Sequence, residues 1–143
     1  MNPGNIFVTG ASRGIGAVIA LELARRGHTV GCFSRGGLGP ENVDIPAELK
    51  SRLVLLKGDV VDRASVKAAL DAFETAAGPL TGVVNNAGIH ITRASDSQPL
   101  EEFDNVMQTN TTATFSICQE AYPRLVAAGG GLIVNMGSFF DKL

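Results

Sequence analysis

The stretch that decides the fold is Thr9-Gly10-Ala11-Ser12-Arg13-Gly14-Ile15-Gly16, near the start of the chain. Residues 5–9 before it are apolar and β-prone, which predicts a buried strand. Residues 16–26 after it show a helical apolar pattern. The predicted apolar face of that helix comprises Val18, Ile19, Leu21, Leu23 and Ala24. The three glycines therefore lie where a strand passes into a helix.

The position of these glycines favours a nucleotide site. The N-terminus of a helix presents unpaired N–H groups and a positive dipole end, which suit a pyrophosphate. Gly10 would permit a tight turn, Gly14 the approach of a ligand to the backbone, and Gly16 close helix–strand packing. The spacing differs from the general Gly-x-Gly-x-x-Gly fingerprint, and three glycines at one turn can also serve the turn alone.

Composition excludes several classes of protein. A net charge of −2 over 143 residues provides no basic footprint for nucleic acid. No apolar run approaches the roughly 20 residues that span a bilayer, and residues 1–4 lack the basic region of a secretory signal. Cys32 and Cys118 match no metal or redox spacing. We therefore expect no metal and two buried thiols in a reducing cytoplasm.

Strand-like and helix-like stretches alternate along the chain, which predicts an α/β fold with a doubly wound parallel sheet. The predicted strands are residues 5–9, 28–33, 52–57, 81–85 and 132–136. Their expected order in the sheet is 3-2-1-4-5, within one continuous domain spanning residues 1–143. Doubly wound dinucleotide folds commonly carry about six strands or more, so we expect this sequence to be the front part of a domain truncated after its fifth strand.

The remaining segments connect these strands. Asp62 is the expected N-cap of a helix whose apolar face comprises Val66, Ala69, Leu70, Phe73 and Ala77. Helical character also runs from about residue 99 to 128, with an interruption near Asn110. Residues 36–46 and 90–98 are expected loops, and residues 47–51 a short helical turn.

Four motifs at predicted strand ends resemble those of the short-chain dehydrogenase/reductase family. They are the glycine stretch 9–16, Asp59-Val60, Asn85-Asn86-Ala87-Gly88 and Asn135-Met136-Gly137-Ser138. The resemblance covers residues 6–138 and implies a Rossmann-like domain that binds NAD(P). It also implies that Ser12, Arg13 and Ile15 contact the cofactor together with the glycines. In an open parallel sheet, ligands bind outside the carboxyl ends of the strands, where these motifs fall.

The residues after the second predicted strand bear on the choice of cofactor. Many NAD-binding domains place an acid there, whereas this chain has Ser34 followed by Arg35. Together with Arg13, two guanidinium groups would face a 2′-phosphate, which arginine binds well. This favours NADP(H) over NAD(H). The alternative is that both arginines are solvated surface residues.

The motifs after strands three and four complete the expected cofactor site. By resemblance, Asp59 would accept a hydrogen bond from the adenine amino group, and the Val60 backbone would contact the ring. Asn86, Ala87 and Gly88 would let the cofactor ribose lie against the backbone, while amide side chains tie neighbouring strands together. The alternatives are that Asp59 only caps a turn and that residues 85–88 form a purely structural one.

Two expected catalytic residues also come from the resemblance. The exposed main chain at Asn110 would hold a water linked to the catalytic lysine, and Ser138 would hydrogen-bond the substrate carbonyl. A serine after a strand can also be a simple turn residue. The family further needs a tyrosine and, four residues later, a lysine, in the helix after strand five. The single tyrosine, Tyr122, precedes that strand and has no such lysine, so both groups are expected beyond Leu143.

The leading hypothesis is an NADP-dependent oxidoreductase acting on a small carbonyl or alcohol substrate, homo-oligomeric as the resemblance implies. The chain alone would then be inactive. One alternative is a truncated, non-catalytic dinucleotide-binding or interaction module. Another is a fragment with no stable fold, because the fifth strand would expose an edge and apolar surface. The sequence does not identify the substrate or the physiological direction of the reaction.

Overall fold

Five parallel strands form the central sheet of the computed structural model, which describes residues 3–94 and 96–137. They are β1 (Asn5–Thr9), β2 (Thr29–Ser34), β3 (Leu53–Lys57), β4 (Gly82–Asn85) and β5 (Leu132–Asn135). Their order is β3-β2-β1-β4-β5, and every neighbouring pair is parallel. The predicted fold class and strand order are confirmed.

Four α-helices connect the strands. They are α1 (Gly14–Arg25), α2 (Arg63–Ala77), α3 (Leu100–Met107) and α4 (Ala113–Ala127). A 3-10 helix covers Ala47–Arg52, where the sequence predicts a short helical turn. The interruption predicted near Asn110 is a π-helical turn, Gln108–Thr112, that joins α3 to α4 without a loop. The long helical run therefore widens at this point and continues.

Side chains that alternate along β1 separate the core into two layers. Phe7 packs with Phe33 and Phe73, with ring centroids 5.3 and 6.1 Å from its own, on the face that α2 and α4 cover. Val8 points to the opposite face and packs with residues of α1. Both residues are fully buried, as expected for a parallel sheet with helices on both faces.

The face through which α1 packs differs from the predicted one. Val18, expected in the core, is 56% exposed. The buried residues of the helix are Gly16, Ala17, Ala20, Leu21 and Ala24. Small residues at helical spacing let α1 approach the sheet closely, so the contact stripe is centred on alanines. The stripe follows residue size as well as hydrophobicity, and Val18 lies outside it.

Helices α2 and α4 are held together by polar contacts as well as by the core. The Asp62 side chain caps α2 by accepting a hydrogen bond from the Ala64 N–H at 3.0 Å, as predicted. Arg124 of α4 binds Asp71 at 2.6 Å and also binds Glu74. Within the described residues, no helix combines the length and the apolarity needed to cross a membrane.

Candidate functional site

A cleft of about 500 Å³ opens at the carboxyl ends of β1, β2, β3 and β4. It lies where the strand order reverses, because the chain runs outward from β1 through β2 to β3 and returns to β4 on the other side. The residues singled out from the sequence that line it are Gly10, Ser12, Arg13, Ser34, Arg35, Asp59, Val60, Asn86, Ala87 and Gly88. The fold thus brings residues of the glycine stretch, of the segment after β3 and of the segment after β4 to one cavity, together with Ser34 and Arg35.

The other candidate residues lie elsewhere. Gly14 and Ile15 line a neighbouring apolar groove at the start of α1, where Ile15 is 66% exposed. Gly16 is buried where α1 meets the sheet, and Asn110 lies in the π-helical turn outside the cleft lining. Ser138 falls outside the described residues.

Close approach of backbone requires glycine at two positions where β1 passes into α1. A Cβ on Gly16 would lie 2.2 Å from the Gly10 carbonyl oxygen and 2.4 Å from Asn86 Nδ2. Gly10 has φ +67°, and its Cβ would lie 3.0 Å from Ala87 Cα. Gly14, with φ +58°, has no protein atom within 4 Å of a Cβ. Glycine at position 14 is therefore favoured by its backbone conformation alone.

Thr9 joins the glycine loop to the loop after β4. Its side chain is buried, and Thr9 Oγ1 accepts hydrogen bonds from the N–H groups of Asn86 and Ala87, each at 3.0 Å. In return, Asn86 Nδ2 donates to the carbonyl oxygens of Thr9 at 3.1 Å and Gly10 at 3.3 Å. The sequence analysis missed Thr9, although a hydroxyl at the end of a buried strand is a usable signal.

The glycine-loop side of the cleft has unpaired hydrogen-bond donors and positive charge. The first N–H groups of a helix lack intrahelical acceptors, and no side chain caps α1 at Arg13. Arg13 and Arg35 are exposed, and neither guanidinium group forms an ion pair or a hydrogen bond within residues 3–94 and 96–137. Ser34 is buried, and its hydroxyl donates to the Leu38 carbonyl oxygen at 3.2 Å.

Asp59 both shapes a turn and lines the cleft. Its Oδ1 accepts a hydrogen bond from the Val61 N–H at 3.2 Å, while its own N–H donates to Ser65 Oγ at 3.0 Å. The Asp59 side chain thus caps a turn, as the alternative interpretation states. The same residue also borders the cavity. On the facing side, the lining includes Asn105 and Thr109, which no sequence motif indicates.

Asn110 binds the chain just beyond Gly88. Its Oδ1 accepts from the Ile89 N–H, and its Nδ2 donates to the Ile89 carbonyl oxygen, both at 2.9 Å. The Asn110 carbonyl oxygen accepts a hydrogen bond from Thr114 Oγ1 at 2.9 Å. A π-helical turn of this kind marks functional sites in many helices. The Asn110 side chain therefore fixes the π-helical turn against one wall of the cleft.

The ends of β4 and β5 are joined by an amide pair. Asn85 Nδ2 donates to Asn135 Oδ1 at 2.8 Å and to Cys118 Sγ at 3.5 Å. Asn85 Oδ1 is buried and has no hydrogen-bond partner among the described residues. Cys118 is only half-buried, which corrects the expectation of two buried thiols, since α4 presents it at the rim of the sheet. Cys32 lies in the core, where burial raises the pKa of its thiol to about 12.

The loop after Gly88 is held against α3 by an ion pair. Arg93 Nε and Nη2 donate to the two carboxylate oxygens of Glu102 at 2.8 and 2.7 Å. This hydrogen bonding, together with the charge of the guanidinium group, lowers the pKa of Glu102. Among the described residues, no group of three or more His, Cys, Asp or Glu side chains is arranged to hold a metal ion.

The residues of the cleft fit a dinucleotide. The contacts around Gly10 and Gly16 place the glycine loop directly against the segment after β4. The donors at that end are backbone N–H groups and two guanidinium groups, which suit phosphate. The cavity volume is in the range of small-molecule sites. The lining also includes apolar residues, among them Val60 and Ile89, so the cavity offers both charged and apolar surface to such a ligand.

Comparison with known proteins agrees with this geometry. D-threitol dehydrogenase from Mycolicibacterium smegmatis is 37% identical over 92% of this chain and 51% of that protein. The 3-oxoacyl-[acyl-carrier-protein] reductase FabG from Staphylococcus aureus is 34% identical over 92% of this chain and 54% of that protein. A crystal structure of 3-ketoacyl-(acyl-carrier-protein) reductase from Brucella melitensis complexed with NADH superposes with a TM-score of 0.79 at 27% identity. That match covers 88% of this chain and 52% of the reductase.

The chain thus spans about half the length of the curated relatives it matches. A family model described as short chain dehydrogenase matches residues 4–141, nearly the whole chain. The motifs at the strand ends, the strand order and this match agree with one another. The chain belongs to the short-chain dehydrogenase family.

Proposed function

We propose that the protein of which this chain forms part is an NADP(H)-dependent oxidoreductase acting on a small carbonyl or alcohol substrate. The observation that carries the proposal is the cleft at the switch point of the sheet, lined by the glycine loop and by the ends of four strands. Membership of the short-chain dehydrogenase family supports the reaction class. When bound, the cofactor donates or accepts the hydride.

Different residues of the cleft bind different parts of the cofactor. In this proposal, the loop containing Gly10, Ser12 and Gly14 and the N–H groups of Ile15 and Gly16 bind the pyrophosphate. Asp59 and Val60 bind the adenine ring at the opposite end of the cleft. Between them, Asn86, Ala87 and Gly88 support the ribose, and Thr9 holds that segment in place.

The preference for NADP(H) rests on the arginines. Arg13 and Arg35 line the same cleft, and neither is paired with a described acidic side chain, so both are available to a 2′-phosphate. Ser34 occupies the position where an acid would favour NAD(H). The Brucella reductase was solved with NADH, the other cofactor. The preference proposed for this protein is therefore to be measured directly, by titration with both NADPH and NADH.

Two residues of this chain would take part in the reaction, one by binding the substrate and one by holding a water. Ser138 orients the substrate carbonyl, and the main chain at Asn110 holds a relay water. The acid–base tyrosine and its lysine follow Leu143 in the whole protein. A free tyrosine has a pKa of about 10, and a nearby ammonium group lowers it toward the working range.

The names of the relatives support a carbonyl or alcohol substrate without identifying it. One is a threitol dehydrogenase and another is an oxoacyl reductase. These enzymatic relatives do not favour the alternative of a non-catalytic binding module. Homo-oligomerisation and a cytoplasmic location remain part of the proposal, and the two free cysteines are in keeping with a reducing compartment.

Two measurements test the proposal. Calorimetric titration of the 143-residue chain with NADPH and with NADH should show binding in the micromolar range or tighter. NADPH oxidation with a panel of ketones should be negligible for this chain and measurable for a longer chain that includes the residues after Leu143. General acid–base help is worth on the order of 10²–10⁴ in rate. Robust turnover by the 143-residue chain, or inactivity of the longer chain with every ketone, would contradict it.

A further inference from the structure

The loop after β2 brings an acidic residue, Glu41, into the wall of the cleft that the arginines line. The Glu41 N–H donates a hydrogen bond to the Ser12 carbonyl oxygen at 2.6 Å. Ser12 belongs to the glycine loop, so this bond fixes Glu41 beside the segment to which the proposed function assigns the phosphates. No sequence motif indicates Glu41, because it lies several residues beyond the end of β2.

The position of Glu41 does not depend on its own side chain. The Gly37 N–H donates to the Ser34 carbonyl oxygen at 3.1 Å, and Ser34 Oγ donates to the Leu38 carbonyl oxygen at 3.2 Å. Pro40 is buried, and a Cβ on Gly39 would lie 3.0 Å from Leu55 Cδ2. The loop is thus packed on the edge of β3, and changing the Glu41 side chain leaves these contacts in place.

The charge of Glu41 is not neutralised by a neighbour. Within the part of the chain that the structure describes, its carboxylate forms no ion pair, and neither do Arg13 and Arg35. One anion and two cations therefore share the cleft without contact. A phosphate monoester carries a charge of about −1.5 to −2 at neutral pH, so a bound 2′-phosphate would be attracted by the arginines and repelled by Glu41.

We infer that Glu41 is a specificity-determining residue whose negative charge repels the 2′-phosphate of NADP(H). It thereby reduces the preference for NADP(H) over NAD(H) that Arg13 and Arg35 produce. The inference rests on the proposed function, because it concerns the same cofactor. On the adenosine ribose, NAD(H) has a hydroxyl group in place of the 2′-phosphate. The affinity for NAD(H) therefore depends little on the Glu41 charge. The arginines and Glu41 together set the ratio of the two affinities.

The test compares Glu41→Gln with Glu48→Gln, both measured with NADPH and NADH by calorimetry. Glu48 is exposed in the 3-10 helix of the same connection and does not line the cleft. Glu41→Gln should raise the affinity for NADPH about three- to tenfold and leave the affinity for NADH within about twofold. Glu48→Gln should change neither. The gain should shrink at 1 M salt, where the screening length falls to about 3 Å.

The outcomes separate this inference from the proposed function. If neither the unmodified chain nor the longer chain binds either cofactor, the proposed function fails. If either binds NADPH but Glu41→Gln leaves both affinities unchanged, or raises both equally, the role of Glu41 is wrong. A gain that persists undiminished at 1 M salt would also overturn it, because such a gain would come from loop packing and not from charge.

Discussion

Thr9 and Asn86 bind each other through both backbone and side chain: Thr9 Oγ1 accepts from the Asn86 N–H at 3.0 Å, and Asn86 Nδ2 donates to the Thr9 carbonyl oxygen at 3.1 Å. These bonds join the carboxyl ends of β1 and β4, on the two sides of the point where the strand order reverses. Direct hydrogen bonds therefore join the two loops that line the cleft at the end of the sheet.

The first prediction concerns that link. Thr9→Val keeps the shape of the side chain but leaves the N–H groups of Asn86 and Ala87 without their acceptor. Because an unsatisfied buried N–H costs about 1–3 kcal/mol, urea unfolding should show a loss of about 2 kcal/mol or more. Thr9→Ser retains the hydroxyl and should lose clearly less. Equal stability of the valine and serine variants would contradict this assignment.

The second prediction separates binding from folding at Gly14. A Cβ at this position meets no protein atom within 4 Å, so Gly14→Ala should cost only the left-handed strain of about 1–2 kcal/mol. The proposed pyrophosphate site lies at this start of α1, so an added methyl group should lower NADPH affinity tenfold or more. Gly129→Ala is a matched control, because Gly129 also has positive φ and open space but follows α4, away from the glycine loop. Equal NADPH affinity in the two variants would exclude Gly14 from the phosphate site.

The third prediction concerns cofactor choice. Arg35→Ala should reduce NADPH affinity about ten- to a hundredfold, since a charge-assisted hydrogen bond contributes about 1.5–3 kcal/mol. Arg13→Ala should have a smaller effect in the same direction, and NADH affinity should change little in either. Arg25→Ala, in the last turn of α1 and away from the cleft, serves as the control. A preference for NADPH that survives Arg35→Ala would count against the assignment.

The fourth prediction concerns the two thiols. Burial raises the pKa of Cys32 from 9.0 to about 12, whereas Cys118 is half-buried. A thiol reagent at pH 8 should therefore modify Cys118 readily and Cys32 only after unfolding, and Cys118→Ser should leave the folded chain almost unreactive. Rapid modification of both thiols in the folded chain would show that Cys32 is not protected.

The same shift in the pKa of Cys32 has a consequence for stability. Above pH 9 the thiol ionises in the unfolded chain but stays protonated in the folded one. The free energy of unfolding should therefore fall as the pH rises from about 9 toward 12. Cys32→Ala should reduce this slope, as pH-dependent urea unfolding would measure. An identical slope in both proteins would mean that Cys32 does not contribute.

The sequence predicts those features that depend on local pattern. Alternating apolar strands and helices predict a parallel sheet, the glycine stretch points to the dinucleotide-fold strand order, and Asn110 marks the interruption of a helix because its side chain competes for backbone hydrogen bonds. What depends on distant packing is not predictable in this way. Val18 is exposed because alanines bring α1 close to the sheet. Glu41 reaches the cleft because its loop packs on the edge of β3, and the partner of Asn110 is Ile89, which lies in a loop.

The last prediction tests whether Asn110 positions the wall of the cleft. Its side chain exchanges two hydrogen bonds with the Ile89 backbone, and Ile89 lines the cavity. Asn110→Ala should destabilise the chain by about 1–3 kcal/mol in urea unfolding and accelerate hydrogen exchange at the Ile89 amide. Asn110→Asp retains an acceptor for the Ile89 N–H but sets a carboxylate against the Ile89 carbonyl oxygen, so it should restore little. Thr111→Ala, an exposed residue of the same π-helical turn, should change neither quantity. If Asn110→Ala slowed turnover in the longer chain while exchange at Ile89 stayed unchanged, the side chain would not act through Ile89, and its role would have to lie directly in catalysis.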